Sequence, residues 1–212
     1  MNLFEYILLA GSSLFVILDP IATVPAFLAM TPNDTAEERI RMARLACIVT
    51  AGVLLFFSIT GHVLFKLVGI TLEAFQMAGS IVLLIVALDM LKARRSPVQQ
   101  TVEETRVGLA KEDIAITPLA MPMLAGPGAI TTSILLNNQA PSLTYRLALY
   151  GCIVVVSMLC FFMLRWAALG ARWMNPIAMK ITTRIMGLLL AALAIQFMIN
   201  ALIQLAPKIK LG

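Results

Sequence analysis

The sequence predicts an all-α polytopic membrane protein, with six transmembrane helices built as a 3+3 inverted-topology repeat and helices 1 and 4 discontinuous. Three observations predict it: the length and number of the apolar runs, a match between the two halves of the chain, and paired Pro and Gly interruptions. Of 212 residues, 60% are hydrophobic and 13% charged, where an ordinary soluble domain carries about a quarter. Apolar runs of about 20 residues are long enough to cross a bilayer. Six are present, roughly at 4–29, 45–65, 73–91, 114–136, 147–164 and 185–205. They leave little chain for anything else, so residues 1–212 read as a single membrane domain. Its halves are 1–95 and 112–206, joined by a cytoplasmic linker over 92–113.

The first run opens "MNLFEYILLAGSSLF", with Glu5 and no Lys or Arg ahead of it. A secretory signal normally starts with positive charge, so this run reads as a retained helix. Six spans make the loops alternate sides. One side collects Arg39, Arg41, Arg44, Lys92, Arg94, Arg95, Arg106, Lys111, Arg165, Arg172, Lys180 and Arg184, twelve of the 16 basic residues; the other holds Lys66, Arg146, Lys208 and Lys210. Basic loops stay in the cytoplasm. Both termini are therefore expected outside, periplasmic in a bacterial inner (plasma) membrane. The net charge of +5 is explained by this topology, and nucleic acid is not an expected partner.

The second and fifth runs establish the repeat. "RMARLACIVTAGVLLFF" (41–57) and "RLALYGCIVVVSMLCFF" (146–162) agree at eight of seventeen positions, from Arg41/Arg146 and Cys47/Cys152 to Phe57/Phe162. The flanking runs follow, with Pro20 over Pro127 and Gly79 over Gly187. Three spans per half is odd, so the second half enters the membrane from the opposite face, a construction that recurs in secondary transporters.

The breaks sit at corresponding points. Span 1 is interrupted at Asp19-Pro20 and again at Pro25; span 4 at Pro118, Pro122 and Gly126-Pro127-Gly128. Paired interruptions of this kind point to a transporter's binding site, while single proline kinks are common in membrane helices. A break frees amide donors at the start of the second half-helix, suited to an anionic group, and carbonyls at the end of the first, suited to a cation. The expected substrate-binding residues are Asp19, Pro20, Ile21, Ala22 and Thr23 in one half, Gly126, Pro127, Gly128, Ala129 and Thr131 in the other, and Gln196. Asp19 is an ionisable residue deep in a span, which by default is functional. It meets a substrate ammonium, carries a coupling proton or sodium, or caps the helix that follows. Thr23, Thr131 and Thr132 either assist binding or return a bond to a helix carbonyl.

These residues resemble the MarC family of integral membrane proteins, also called the small neutral amino acid transporter family. The resemblance covers essentially the whole chain. It rests on "LDPIATVPAF", on "AITPLAMPMLAGPGAITT" and on the basic loop "LKARRSPVQQTVEETR". In many members the residue two after the first Pro is Gly; here it is Ala22. The resemblance implies a six-helix inner-membrane protein whose discontinuous helices 1 and 4 meet around a small-molecule substrate. Some members are linked to transport of glycine, alanine and similar amino acids.

The remaining chemistry is sparse. Cys47, Cys152 and Cys160 all lie inside spans, without a CxxC or a Cys/His cluster, and read as packing residues. His62, the only histidine, follows Ser58 by four residues but has no orienting acid and no Gly-x-Ser-x-Gly. No enzyme is expected. There is no Walker motif for ATP, and no cofactor is called for beyond a coupling ion. The expected function is secondary transport of small neutral amino acids by alternating access. The alternatives are export of another small metabolite or drug, and a non-transporting membrane scaffold or stress accessory protein.

Overall fold

The structure is a computed structural model and describes residues 2–31, 34–92, 115–170 and 176–209. The expected linker over 92–113 lies outside the described residues except for Lys92. All the regular structure described is helical. Helix α1 spans Leu3–Leu18 and α2 Pro20–Met30. Helix α3 spans Ala36–Val68 and α4 Leu72–Lys92. The second half has a π-helical α5 over Ala115–Leu124, then α6 over Pro127–Gln139, α7 over Leu143–Gly170 and α8 over Pro176–Ile209.

Local chemistry sets these boundaries. Asn2 and Glu5 form a reciprocal capping box that starts α1, and Thr35 and Glu38 do the same for α3. Gly69, at φ 72°, ends α3 in the left-handed conformation that glycine adopts without strain. Five helices, with α1 and α2 taken together as Leu3–Met30, are long and apolar enough to cross a membrane. The bent pair α5–α6, counted as one broken span, brings the number to six. At 33 residues α3 is about 50 Å long, well over a hydrocarbon core of about 30 Å. Its first turns therefore reach past the apolar layer. Arg39 is on one of these turns, not in a loop. It is buried, and its Nε donates to the Thr31 carbonyl at 3.0 Å, where α2 ends. A cation there satisfies a carbonyl that the helix leaves free.

The outer surface is a belt of exposed Ile, Val, Leu and Phe, among them Ile48, Val63, Leu147 and Leu188. This is the surface a lipid environment requires, and in water it would be an aggregation liability. Inside, one large apolar cluster joins α1, α2, α3, α5, α6 and α7, and a smaller one joins α2, α4 and α8.

The two halves exchange. If α1, α2, α3 and α4 are swapped for α5, α6, α7 and α8, the principal interfaces map onto one another: α1–α7 onto α5–α3, α2–α7 onto α6–α3, α2–α8 onto α6–α4, α1–α6 onto α5–α2. The pairs α3–α7 and α4–α8 map onto themselves. Two packed pairs lack a comparable counterpart, α4–α5 and the sequence neighbours α6–α7. The buried stripe of α3 (39, 43, 47, 50, 54, 58) has the same spacing as that of α7 (149, 153, 157, 160, 164, 168), but not in the register of the matched residues, which sets buried Cys47 over half-buried Cys152 and buried Leu54 over exposed Leu159.

Candidate functional site

The first break is a single residue. Asp19 ends α1 and begins α2 at φ 42°, ψ 63°, the one non-glycine with positive φ among the described residues. Asp is among the few side chains that tolerate this region. Its amide donates to the Phe15 carbonyl at 3.2 Å and closes α1. Its Oδ1 accepts the Ala22 amide at 3.2 Å, and its carbonyl accepts the Thr23 amide at 3.0 Å and the Thr23 hydroxyl at 2.9 Å, opening α2. Pro20 supplies the first position of α2, where a missing amide costs nothing. No described residue gives the Asp19 carboxylate a cation.

The second break is built differently. Pro118 and Pro122 interrupt the usual ladder, and the segment takes the wider π geometry, closing with Ala125 N to Ala120 O at 2.7 Å. Helix α6 then leaves at 55° to it. Gly126 caps α6 with no side-chain bond. A Cβ there would lie 2.5 Å from the Pro122 carbonyl oxygen, so no residue with a side chain fits this turn. Pro127 rests on Gly79 of α4, where a Cβ would come 2.0 Å from the ring. Gly128 is packed against Ile17 and Phe197. It needs closeness only; its φ is ordinary, since Gly69 is the only described glycine on the positive side.

A cavity of about 140 Å³ adjoins the first break. Helix 1 provides Val16, Ile17, Leu18, Asp19, Ala22 and Thr23. The facing wall is Leu83 of α4, Met123 of α5, and Leu190, Leu193 and Phe197 of α8. Asp19 is the only ionisable group in an otherwise apolar lining, with the Thr23 hydroxyl beside it. Engineered cavities of about 150 Å³ hold a benzene ring, six heavy atoms, and alanine has the same number.

The expected site residues divide. Asp19, Ala22 and Thr23 line the cavity; Pro20 is buried at the helix start, and the Ile21 side chain is 68% exposed on the outer surface. Gly126, Pro127, Gly128 and Ala129 are all buried and none is in the lining; Gly128 stands behind Ile17 and Phe197, which line the cavity, while Gly126 packs on the Pro122 carbonyl and Pro127 on Gly79. Thr131 is buried, its hydroxyl without a partner among the described residues. Gln196 is exposed, outside the cavity, and donates to Asn200 Oδ1 at 2.9 Å. Ser58 donates to the Ser133 carbonyl at 3.4 Å while His62 is exposed, so they form no dyad. The sequence reading missed the apolar wall. One signal was available: the repeat that puts Pro20 over Pro127 puts Val16 over Met123, and both line the cavity.

A family model described as "MarC family integral membrane protein" matches residues 4–206. The chain is 35% identical over 191 residues to a UPF0056 membrane protein of Aquifex aeolicus, covering 90% of this chain and 89% of that one. It is 35% identical over 194 residues to the UPF0056 membrane protein YvbG of Bacillus subtilis (91% and 92%). With the UPF0056 membrane protein YhcE of Escherichia coli it shares 30% over 195 residues (92% and 90%). No solved structure matches.

Proposed function

The chain belongs to the MarC family of integral membrane proteins, and from that premise we propose that it is a secondary transporter of small neutral amino acids of the glycine and alanine kind. The observation that carries this reading is Asp19: a carboxylate without a cation partner, on the wall of an apolar cavity sized for about six heavy atoms. A zwitterion brings the ammonium that such a carboxylate lacks. Its carboxylate end is matched by the first amides of α6, at Gly128 and Ala129, which a helix start leaves free and which no side chain caps. Those amides lie behind Ile17 and Phe197, so the two substrate ends are held together only when these side chains part. A proton or sodium ion coupled to transport shares Asp19. The halves rock about the cavity and expose it to each side of a bacterial inner membrane in turn.

The test is uptake of labelled glycine and alanine into proteoliposomes, with and without imposed proton and sodium gradients. Uptake above empty liposomes, competed by unlabelled alanine, is the expected result. Absence of uptake in both directions, with no thermal stabilisation of the purified protein by either amino acid, overturns the proposal.

A further inference from the structure

Under the exchange of halves, the packed pair α4–α5 corresponds to α8–α1. Yet α4 packs on α5, whereas α8 and α1 face each other across the cavity with no comparable packing. The cavity thus has a more closely packed seam on one side than on the other.

The side chains along the two seams differ in the same sense. The α8 stripe that lines the cavity is Leu190, Leu193 and Phe197. At the same three-and-four spacing it continues to Asn200, half-buried and accepting a bond from Gln196 at its Oδ1, and Gln204, exposed. One turn before Ile17, α1 carries Ser13, also half-buried. Amides and hydroxyls along a span are poorly satisfied by lipid chains and well satisfied by water. Ile17 and Phe197, which line the cavity and both pack against Gly128, are the lining residues one turn from Ser13 and Asn200 respectively. Toward the other side the surroundings are apolar and tight, with Ala26, Leu83, Ala87, Met90 and Leu190 buried together and Met123 packed on them.

We infer that the cavity's route to the outer face runs between α1 and α8 along Asn200 and Gln204, gated by Ile17 and Phe197, and that its inner route is the repeat counterpart, the α4–α5 seam. The register that sets Gly79 over Gly187 sets Asp89 over Phe197. Asp89, on α4, is half-buried, with its Oδ2 enclosed and without a partner among the described residues, an arrangement that water reaching the inner end of α4 would satisfy. The role of these seams as a substrate route rests on the transport reading above; their wetting does not.

The experiment is labelling with a membrane-impermeant methanethiosulfonate in right-side-out and inverted vesicles, with the three native thiols of the wild type as background. Asn200→Cys is compared with Ile199→Cys, one residue away at the same depth on the lipid-facing side. Thiols react as thiolates, which hydrocarbon suppresses, so Asn200→Cys should label at least about tenfold faster, and from the outer side. In an Ala22→Cys chain, adding Phe197→Ala should speed labelling of the cavity severalfold. Equal rates at 199 and 200, labelling only from the cytoplasmic side, or a covalent dimer from Asn200→Cys with a short bismaleimide would each overturn the inference. Fast labelling at 200 in a protein that takes up no amino acid would support the route and sink the transport reading alone.

Discussion

Asp19 joins two helices and faces a cavity, and these duties separate by substitution. Asn caps a helix as well as Asp and tolerates positive φ. Asp19→Asn therefore keeps the Ala22 bond and the backbone turn and removes only the charge. Uptake should fall at least about tenfold, the effect of about 1.4 kcal/mol in one binding step, with the melting temperature unchanged. Asp19→Ala should lose uptake and also about 1 kcal/mol of stability, because the cap goes as well. Wild-type uptake by Asp19→Asn, with unaltered pH and sodium dependence, would leave the residue as a cap alone. Arg39 makes a second contrast. The sequence puts it with Arg41 and Arg44 as topogenic charge, but the fold buries it on the Thr31 carbonyl. Arg39→Ala should cost about 1–3 kcal/mol by orphaning that carbonyl, and Arg44→Ala, at an exposed position, less than about 0.5 kcal/mol; thermal unfolding in detergent measures both. A carboxylate among apolar residues was legible because its chemical type is the signal. Leu83, Leu193 and Phe197 were not, because a cavity wall in a membrane span is made of the residues used everywhere else in it.

At the scale of elements, the two breaks solve one problem by different means, and the difference fixes what each glycine tolerates. Gly126 faces a backbone oxygen, which moves only if the turn opens. Gly128 faces the ends of the Ile17 and Phe197 side chains, 3.2 and 3.5 Å from where a Cβ would be, and these can yield. Gly126→Ala should therefore destabilise by about 1–3 kcal/mol. Gly128→Val should insert and fold, yet lose uptake, because its branches fill the space that Ile17 and Phe197 move through. A thermal melt paired with uptake separates the two outcomes. Near-native stability of Gly126→Ala would mean that the turn is not held by the Pro122 carbonyl. The existence and pairing of the breaks were legible, since Pro and Gly act on the backbone directly. Their forms were not. A π-helical α5 and a 55° bend in one half, against a one-residue left-handed step in the other, depend on which carbonyls the Ala125 and Asp19 amides reach. No local propensity encodes that.

For the whole molecule, the exchange of halves gives the membrane orientation a structural reason. The principal interfaces map onto one another when the halves are swapped, and with the bent pair α5–α6 counted as one span each half contributes three, an odd number. On that count two such halves lie antiparallel across the bilayer, and their helix ends alternate sides. The basic residues are distributed to match: Arg41, Arg44, Lys92 and Arg165 are exposed at ends that the alternation assigns to a single side, which the charge rule predicts to be the cytoplasmic one. A reporter fused after Ser96, which follows three spans, should then read cytoplasmic, and one fused after Gly212, which follows six, should read external. The pairing matters more than either value. Opposite readings require an odd number of crossings between the two points, as α5–α6 counted with α7 and α8 supplies. If both fusions report the same side, the bent α5–α6 pair enters and leaves by one face. It would then be a re-entrant loop, the halves would no longer be equivalent, and alternating access by their exchange would lose its basis.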